Sequence, residues 1–398
     1  MKQVKDEGIR QIAKYSDQHH PEITRSLCEK AIDDILVKME ENLPLFTDKF
    51  PAPTSVNNIY SAIENIDWTS SFWTGMLWLA YEVTGAEKYR LVAEIQLKSF
   101  QRRIREKIAV DTHDLGFLYS LSCVAAYKIT GNQNLEAKET ALQAAELLIT
   151  RYFDKAGIIQ AWGDLNDPQQ RGRMIIDCYL NLPLLYWAAQ VTGEKKYYEI
   201  AYNHARRGAE CLIREDASTF HTFYLDVVTG EPRFGKTHQG FSDDSCWARG
   251  QAWGIYGLAL SYGYTHDQNF LELGQKVANY FLNRLPEDYI CYWDLIFTEG
   301  NEERDSSAAA IAACGLLELS KRMPDRNENK SIYENAALHI VQSLVNNYST
   351  AKVDSNGLIL HSVYNKNSNK GVDECSIWGD YFYFEALVRL SKDWKLYW

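Results

Sequence analysis

No stretch of this 398-residue sequence approaches the roughly 18 to 20 uninterrupted apolar residues that a membrane-spanning helix needs. The opening Met-Lys-Gln-Val-Lys-Asp-Glu-Gly carries charge where a secretory leader places its apolar core, so the sequence predicts a cytoplasmic protein with no membrane partner. Closely spaced cysteines are missing too. The eight present (Cys28, Cys123, Cys178, Cys211, Cys246, Cys291, Cys314 and Cys375) argue against a zinc site or a disulfide frame and for reduced thiols in the core. The nine histidines are dispersed, no H-E-x-x-H occurs and no Asp/Asn ladder has calcium-loop spacing, so neither a metal nor another cofactor is expected. No G-x-S-x-G elbow follows a strand, which removes a Ser-His-Asp hydrolase. Positive charge is in deficit: Lys and Arg total 42 against 53 Asp and Glu, a net of −11 spread along the chain, which excludes non-specific nucleic-acid binding. An anionic ligand is still admissible where a few cations dominate a low-dielectric cleft. Linkers rich in Pro, Ser or Gly are absent, which predicts one domain over residues 1–398, as a monomer or a homodimer.

What the sequence does contain is material for one large core, with 46% hydrophobic and 13% aromatic residues. One pattern recurs along it: an aromatic-rich apolar helix, a short polar turn and a second, amphipathic helix. Thr84-Gly85, Thr130-Gly131 and Thr192-Gly193 mark three of the turns, each with a Gly suited to a left-handed helix cap. Weaker copies turn at Thr265-His266-Asp267 and near Pro324-Asp325, and a last helix from Ile377 to Leu390 is paired with one near residues 23 to 40. Six such hairpins predict an all-α fold, an (α/α)6 toroid with the first helices inside, in preference to an open solenoid. Phe220–Asp226 reads as a short strand in a rim loop, and Tyr292–Asp294 as another.

Gly230–Thr237 satisfies the phosphate-loop expression G-x-x-x-x-G-K-[ST]. Gly240 and Ser242-Asp243-Asp244-Ser245 follow at once, where a phosphate-binding helix would have to continue, so a rim loop is the better reading. Paired carboxylates carry more weight: His113-Asp114 opens the second hairpin and Asp177 the third. A helix cap worth about 1 kcal/mol explains either Asp alone. Two of them at adjacent hairpin mouths face one cleft, where apolar neighbours can raise one pKa and leave the other group ionised. A third cluster comprises His221, Gln239, Arg249 and Trp253. The i to i+4 spacing of Arg249 and Trp253 sets a planar cation beside an indole, suited to an anionic ring-shaped ligand, although an Arg–carboxylate brace is the structural alternative. Trp68 and Trp162 precede the first and third hairpins and, among 11 Trp and 25 Tyr, favour a carbohydrate cleft.

Four segments together resemble the unsaturated glucuronyl hydrolase family: residues 67 to 76, His-Asp-Leu-Gly-Phe at 113 to 117, 177 to 185, and Ser-Asp-Asp-Ser-Cys-Trp-Ala-Arg-Gly-Gln-Ala-Trp-Gly at 242 to 254. The resemblance implies an (α/α)6 barrel. It also implies a bacterial enzyme that removes the unsaturated uronic acid left on glycosaminoglycan fragments by polysaccharide lyases. In that family an Asp protonates C4 of the enol-ether double bond while water adds at C5, and the resulting hemiketal opens and expels the neighbouring sugar. Asp177 matches the acid/base and Asp114 the second carboxylate, while His113, His221, Gln239, Arg249 and Trp253 match substrate contacts. The resemblance places Arg249 near the uronate carboxylate, has Trp253 and Trp162 stack, and has Trp68 close the pocket. Members favouring sulfated chondroitin disaccharides resemble a Ser-x-x-Ser-x-Lys pattern. Here Ser368 and Lys370 fit it and Asn365 replaces the first Ser. The rivals are an unsaturated rhamnogalacturonyl hydrolase, a sugar 2-epimerase and a non-catalytic glycan-binding protein.

Overall fold

The computed structural model describes residues 3–16 and 23–398, and within them helices alternate between two environments. Helix α1 (Arg25–Asn42) is followed by the hairpin α2 (Ser70–Thr84) and α3 (Glu87–Arg105). In the next hairpin α4 (Leu115–Tyr119) runs through a π-turn at Ser120–Val124 into α5 (Ala125–Ile129) and returns as α6 (Leu135–Ile149). Then come α7 (Cys178–Asn181) and α8 (Pro183–Thr192) with α9 (Lys195–Cys211), α10 (Ala248–Thr265) with α11 (Gln268–Leu282), and α12 (Ser306–Arg322) with α13 (Asn329–Ser343). Helix α14 (Ile377–Ser391) packs on α1 and completes a sixth pair.

Sequence patterning decides which helix goes where. The first eleven residues of α2 are all buried, as are the first eleven of α12, so these helices have no solvent face and must sit inside. Helix α9 buries only Tyr197, Ala201, His204, Ala205 and their neighbours on one stripe, and so forms part of the outer wall. The inner helices close a circuit, α2 on α4, α4 on α7, α7 on α10, α10 on α12, α12 on α14 and α14 back on α2. That closure makes the (α/α)6 toroid and excludes the open solenoid. Gly85 and Gly193 end α2 and α8 in the left-handed region, at φ 67° and 76°, and His266 adopts the same conformation after α10.

Short antiparallel strands decorate the rim: β1 (Phe50–Pro51) with β2 (Ala62–Ile63), β3 (Tyr152–Phe153) with β4 (Ile158–Ile159), and a three-stranded sheet of β5 (Arg173–Ile175), β6 (Thr222–Leu225) and β7 (Pro232–Lys236). Strand β8 (Ser362–Asn365) pairs with β9 (Lys370–Glu374). The strand expected at Phe220–Asp226 is β6. Tyr292–Asp294 forms no strand, because its backbone makes only isolated bridges, Tyr292 to Arg304 and Asp294 to Trp247. The phosphate-loop lookalike is β7 and its approach, an edge strand with no helix starting at Gly235. All eight cysteines are buried and none forms a disulfide, and among the described residues no helix is long and apolar enough to cross a membrane.

The rim is tied to the barrel through a buried acid. Asp380 of α14 accepts hydrogen bonds from the Tyr60 hydroxyl (2.9 Å) and the Ile359 amide (3.0 Å), and burial raises its pKa to about 7. A carboxyl raised in the folded state contributes stability that is full below its unfolded pKa and lost as pH rises through the folded value. Asp380 should therefore withdraw on the order of 4 kcal/mol between about pH 4 and pH 7. Denaturant unfolding across that window checks this, because Asp380→Asn should flatten the fall that the parent protein shows.

Candidate active site

Three rim segments converge above the inner helices, and the β5–β6–β7 sheet sets their register. Ile175 pairs with Thr222, and the Ile176 amide donates to the His221 carbonyl, which brings Asp177 beside His221. Thr222 pairs with Lys236, which carries His238 and Gln239 to the same end of the sheet. On the opposite side the His113 amide donates to Ala161 and Thr112 bridges Trp162, fixing that indole next to the His113-Asp114 motif.

Asp114 and Asp177 occupy the N-cap positions of α4 and α7, yet neither side chain accepts a hydrogen bond from its own helix. The capping explanation therefore fails for both. Asp114 accepts from the Thr112 hydroxyl at 2.7 Å, while one oxygen of Asp177 is buried with no hydrogen-bond partner. That oxygen faces the His113 Nε2 instead, as a charge contact short of a formed hydrogen bond. Between the two lies buried His113, its Nε2 3.4 Å from Asp114 and 3.3 Å from Asp177. Burial pulls the His113 pKa down, but Asp177 and Asp114 outweigh it and hold the imidazole above its ordinary value. Burial, followed by the charge of Asp177, raises Asp114 against the opposing pull of His113. The three side chains set one ligand atom each within 4.8 Å of one another, the one such grouping among the described residues that could hold a metal ion.

The spacing of the carboxylates depends on a contact that sequence reading did not single out. A Cβ on Gly116 would lie 2.2 Å from the Cα of Asn181, so α4 and α7 approach as closely as backbone allows. The Asn181 side chain then accepts from the Phe117 amide at 2.8 Å and locks the pair. Gly116→Ala must push the two helix starts apart, and with them Asp114 and Asp177. A stability loss of about 1–3 kcal/mol or more, together with a larger fall in kcat than in substrate affinity, is the expected result in thermal unfolding and steady-state assays.

The far wall is built from donors with one side already committed. Buried His221 accepts at Nδ1 from the amides of His238 (2.9 Å) and Gln239 (3.2 Å), so its proton sits on Nε2. Burial first, then His238 and Arg249, hold it well below the usual histidine range, so it is a neutral donor. Gln239 accepts from Arg249 through Oε1 at 2.6 Å, which leaves its amide hydrogens as donors. Arg249 itself is fully engaged at both terminal nitrogens, with Asp305 (2.8 Å), the carbonyls of Val363 and Tyr364, and Gln239. The brace considered as its structural alternative is thus what the geometry contains. Its flanking rings also differ from expectation. Trp247 and Trp378 lie 4.4 and 5.0 Å from the guanidinium, while Trp253, one turn deeper in α10, packs on Phe117 and Phe382. Helical spacing put Arg249 and Trp253 on one face, but the Arg side chain reaches back toward the rim and the indole toward the barrel axis.

These walls enclose a cavity of about 290 Å³, and Trp68, His113, Asp114, Trp162, Asp177, His221, Gln239, Arg249 and Trp253 all line it. Ser368 and Lys370 do not. They lie on the β8–β9 hairpin, where the Asn365 side chain accepts from the Ser368 amide and the Lys370 ammonium sits 4.4 Å over the Tyr364 ring. Tyr364 in turn lines the cavity and accepts from the Trp68 indole at 3.2 Å. Sequence reading missed Tyr364 and His238, and it gave no role to Trp247, which opens the segment Trp247–Trp253 of the third cluster and lines the cavity. For Tyr364 no signal separated it from core aromatics. His238 was within reach, since it neighbours Gln239, and its Nε2 is buried without a partner.

The profile of Glycosyl Hydrolase Family 88 matches residues 46–390 of the chain. The sequence is 49% identical over 380 residues to the unsaturated chondroitin disaccharide hydrolase of Streptococcus pneumoniae, covering 95% of each chain. The fold superposes on the crystal structure of unsaturated glucuronyl hydrolase from Streptococcus agalactiae with a TM-score of 0.97 at 46% identity, over 100% of both chains. An aspartate-to-asparagine mutant of that enzyme, complexed with dGlcA-GalNAc6S, matches with a TM-score of 0.89 at 44% identity, again over 100% of both chains.

Proposed function

The chain belongs to Glycosyl Hydrolase Family 88, and from that membership we propose that it releases the Δ4,5-unsaturated uronic acid from chondroitin- or hyaluronan-type oligosaccharides, sulfated ones included, by hydrating the enol-ether double bond. It is a glycoside hydrolase. The observation that carries the mechanistic reading is the pair of uncapped carboxylates around His113, because acid/base hydration needs one group that gives and takes a proton beside a polar ring clamp.

Asp177 protonates C4 and takes a proton from the water that adds at C5, while His113 stands 3.3 Å behind its buried oxygen. Water's hydrogen and hydroxyl are thereby added across the double bond. The C5 hemiketal opens and expels the neighbouring sugar, so no displacement occurs at the anomeric carbon, unlike the usual two-carboxylate glycosidase. Asp114, which burial keeps more readily protonated, donates to a ring hydroxyl. The uronate carboxylate lies against the His221 Nε2–H and the Gln239 amide, both neutral donors whose opposite sides are already engaged. Arg249, its charge met by Asp305, contributes through Gln239, whose amide hydrogens it turns outward. Trp162 and Trp253 offer ring faces, and Trp68 narrows the entrance. A sulfate on the second sugar is met by Ser368 and Lys370. Asn365 has one oxygen occupied by the Ser368 amide and presents its NH2 group where the sulfate-binding pattern has a hydroxyl.

The test is loss of the ultraviolet absorbance of the conjugated enol carboxylate on mixing with unsaturated chondroitin, hyaluronan or pectin disaccharides. Decay with a glycosaminoglycan fragment is expected, faster for sulfated chondroitin. Decay with the pectin fragment alone moves the assignment to a rhamnogalacturonyl hydrolase, and no decay with any of them sinks the hydration mechanism in favour of an epimerase or a binding protein.

A further inference from the structure

Arg173 opens β5, the strand that delivers Asp177, and is only 6% exposed. It forms no ion pair with a carboxylate among the described residues; its Nε donates to the Tyr224 hydroxyl at 2.9 Å and one Nη to the Trp162 carbonyl at 3.4 Å. Its guanidinium carbon lies 3.5 Å from the centre of the Trp162 ring, closer than Arg249 comes to either of its indoles. Trp162 lines the cavity and is 38% exposed, whereas Arg173 does not reach the cavity, so the cation covers the indole's hidden side and leaves the cavity side open. Behind Arg173 the stack continues, since the Tyr224 ring lies 4.8 Å from Phe234 at 24°. At its edge the indole meets His238 at 5.5 Å.

A half-exposed tryptophan would ordinarily swing between rotamers, and each ordered contact must offset that freedom. Here a planar group of fixed charge holds the ring flat from behind. Burying a guanidinium with no carboxylate in contact is costly, and the carboxylate that feels its charge, Asp167, lies beyond ion-pair distance. We propose that Arg173 is a positioning and specificity residue: by backing Trp162 it builds the subsite for the second sugar, and its charge, which no carboxylate contacts directly, favours a sulfated or carboxylated sugar there. This inference rests on the hydrolase reading given above.

Steady-state kinetics on unsaturated chondroitin disaccharides tests it. Arg173→Met should raise KM about tenfold, more for the sulfated than for the unsulfated substrate, with kcat within about threefold, the scale of a lost ring–cation contact. Arg173→Lys keeps the charge without the planar stack and should recover the sulfate preference but not the full affinity. In a Trp162→Ala background Arg173→Met should add less than about twofold, since the two act as one unit. Unchanged KM in Arg173→Met, or the same tenfold rise in both backgrounds, overturns the proposal. If the parent enzyme turns over no unsaturated disaccharide at all, the hydrolase reading fails instead, so the two failures are separable.

Discussion

Replacing Asp177 by asparagine should lower kcat by about a thousandfold, within the range that a positioned general acid/base supplies, while substrate binding stays within a few-fold of the parent. The asymmetry follows from the local geometry. The amide is isosteric and the side chain does not cap α7, so the helix start is not weakened, and what is lost locally is the 3.3 Å charge contact with His113. The amide cannot deliver a proton to C4 or recover one from water. Rates followed by loss of enol absorbance, with binding measured by calorimetry on the inactive protein, separate the two quantities. Matched losses of rate and affinity would falsify the assignment of proton transfer to Asp177.

Asp114→Asn should behave differently, because burial already favours the neutral form of that carboxyl. An amide preserves its neutral shape, so the expected loss is smaller in kcat and shared with KM. The contrast between two aspartates in near-equivalent N-cap positions thus probes whether the site divides its labour by environment rather than by residue type.

Much of this architecture is legible in the amino-acid sequence. The repeat of aromatic helix, Thr-Gly turn and amphipathic helix yields both the hairpin count and the ring, because a helix with no polar face has to be enclosed by others. The motif positions predict the cavity lining for the same reason: inner-helix starts face one rim. Strand Tyr292–Asp294 fails because an aromatic-rich tripeptide also serves as a buried loop, and Asp294 spends its side chain on the Phe241 amide and the Ser245 hydroxyl instead of on a neighbouring strand. The Arg249–Trp253 pairing fails because spacing fixes Cα positions and leaves side-chain direction open. Arg173 is invisible at that level, since nothing in Arg-Gly-Arg-Met marks one arginine as buried. The β5–β6 pairing is long-range information.

Arg249→Ala should cost about 3–5 kcal/mol of stability, making it a folding variant before it is a binding variant. The guanidinium and Asp305 are both buried, and removing the cation leaves the carboxylate in a site already closed to water, with the carbonyls of Val363 and Tyr364 losing their donor. Asp305 also accepts from the Ala308 amide and the Ser307 hydroxyl at the start of α12, so the unpaired charge sits at an inner-helix mouth. Asp305→Asn alone should be costly for the mirror reason, a buried cation without its counter-charge. The double replacement Arg249→Ala with Asp305→Asn should be less destabilising than the sum of the single losses, because neither charge is then stranded. Denaturant unfolding of the four proteins measures that coupling. Kinetics on whatever folds then isolates the second role: without Arg249, Gln239 loses the partner that turns its amide toward the uronate, so KM should rise in the double variant even where stability has recovered. An Arg249→Ala protein as stable as its parent, with only KM raised, would show instead that the guanidinium is held for the substrate and not for the barrel.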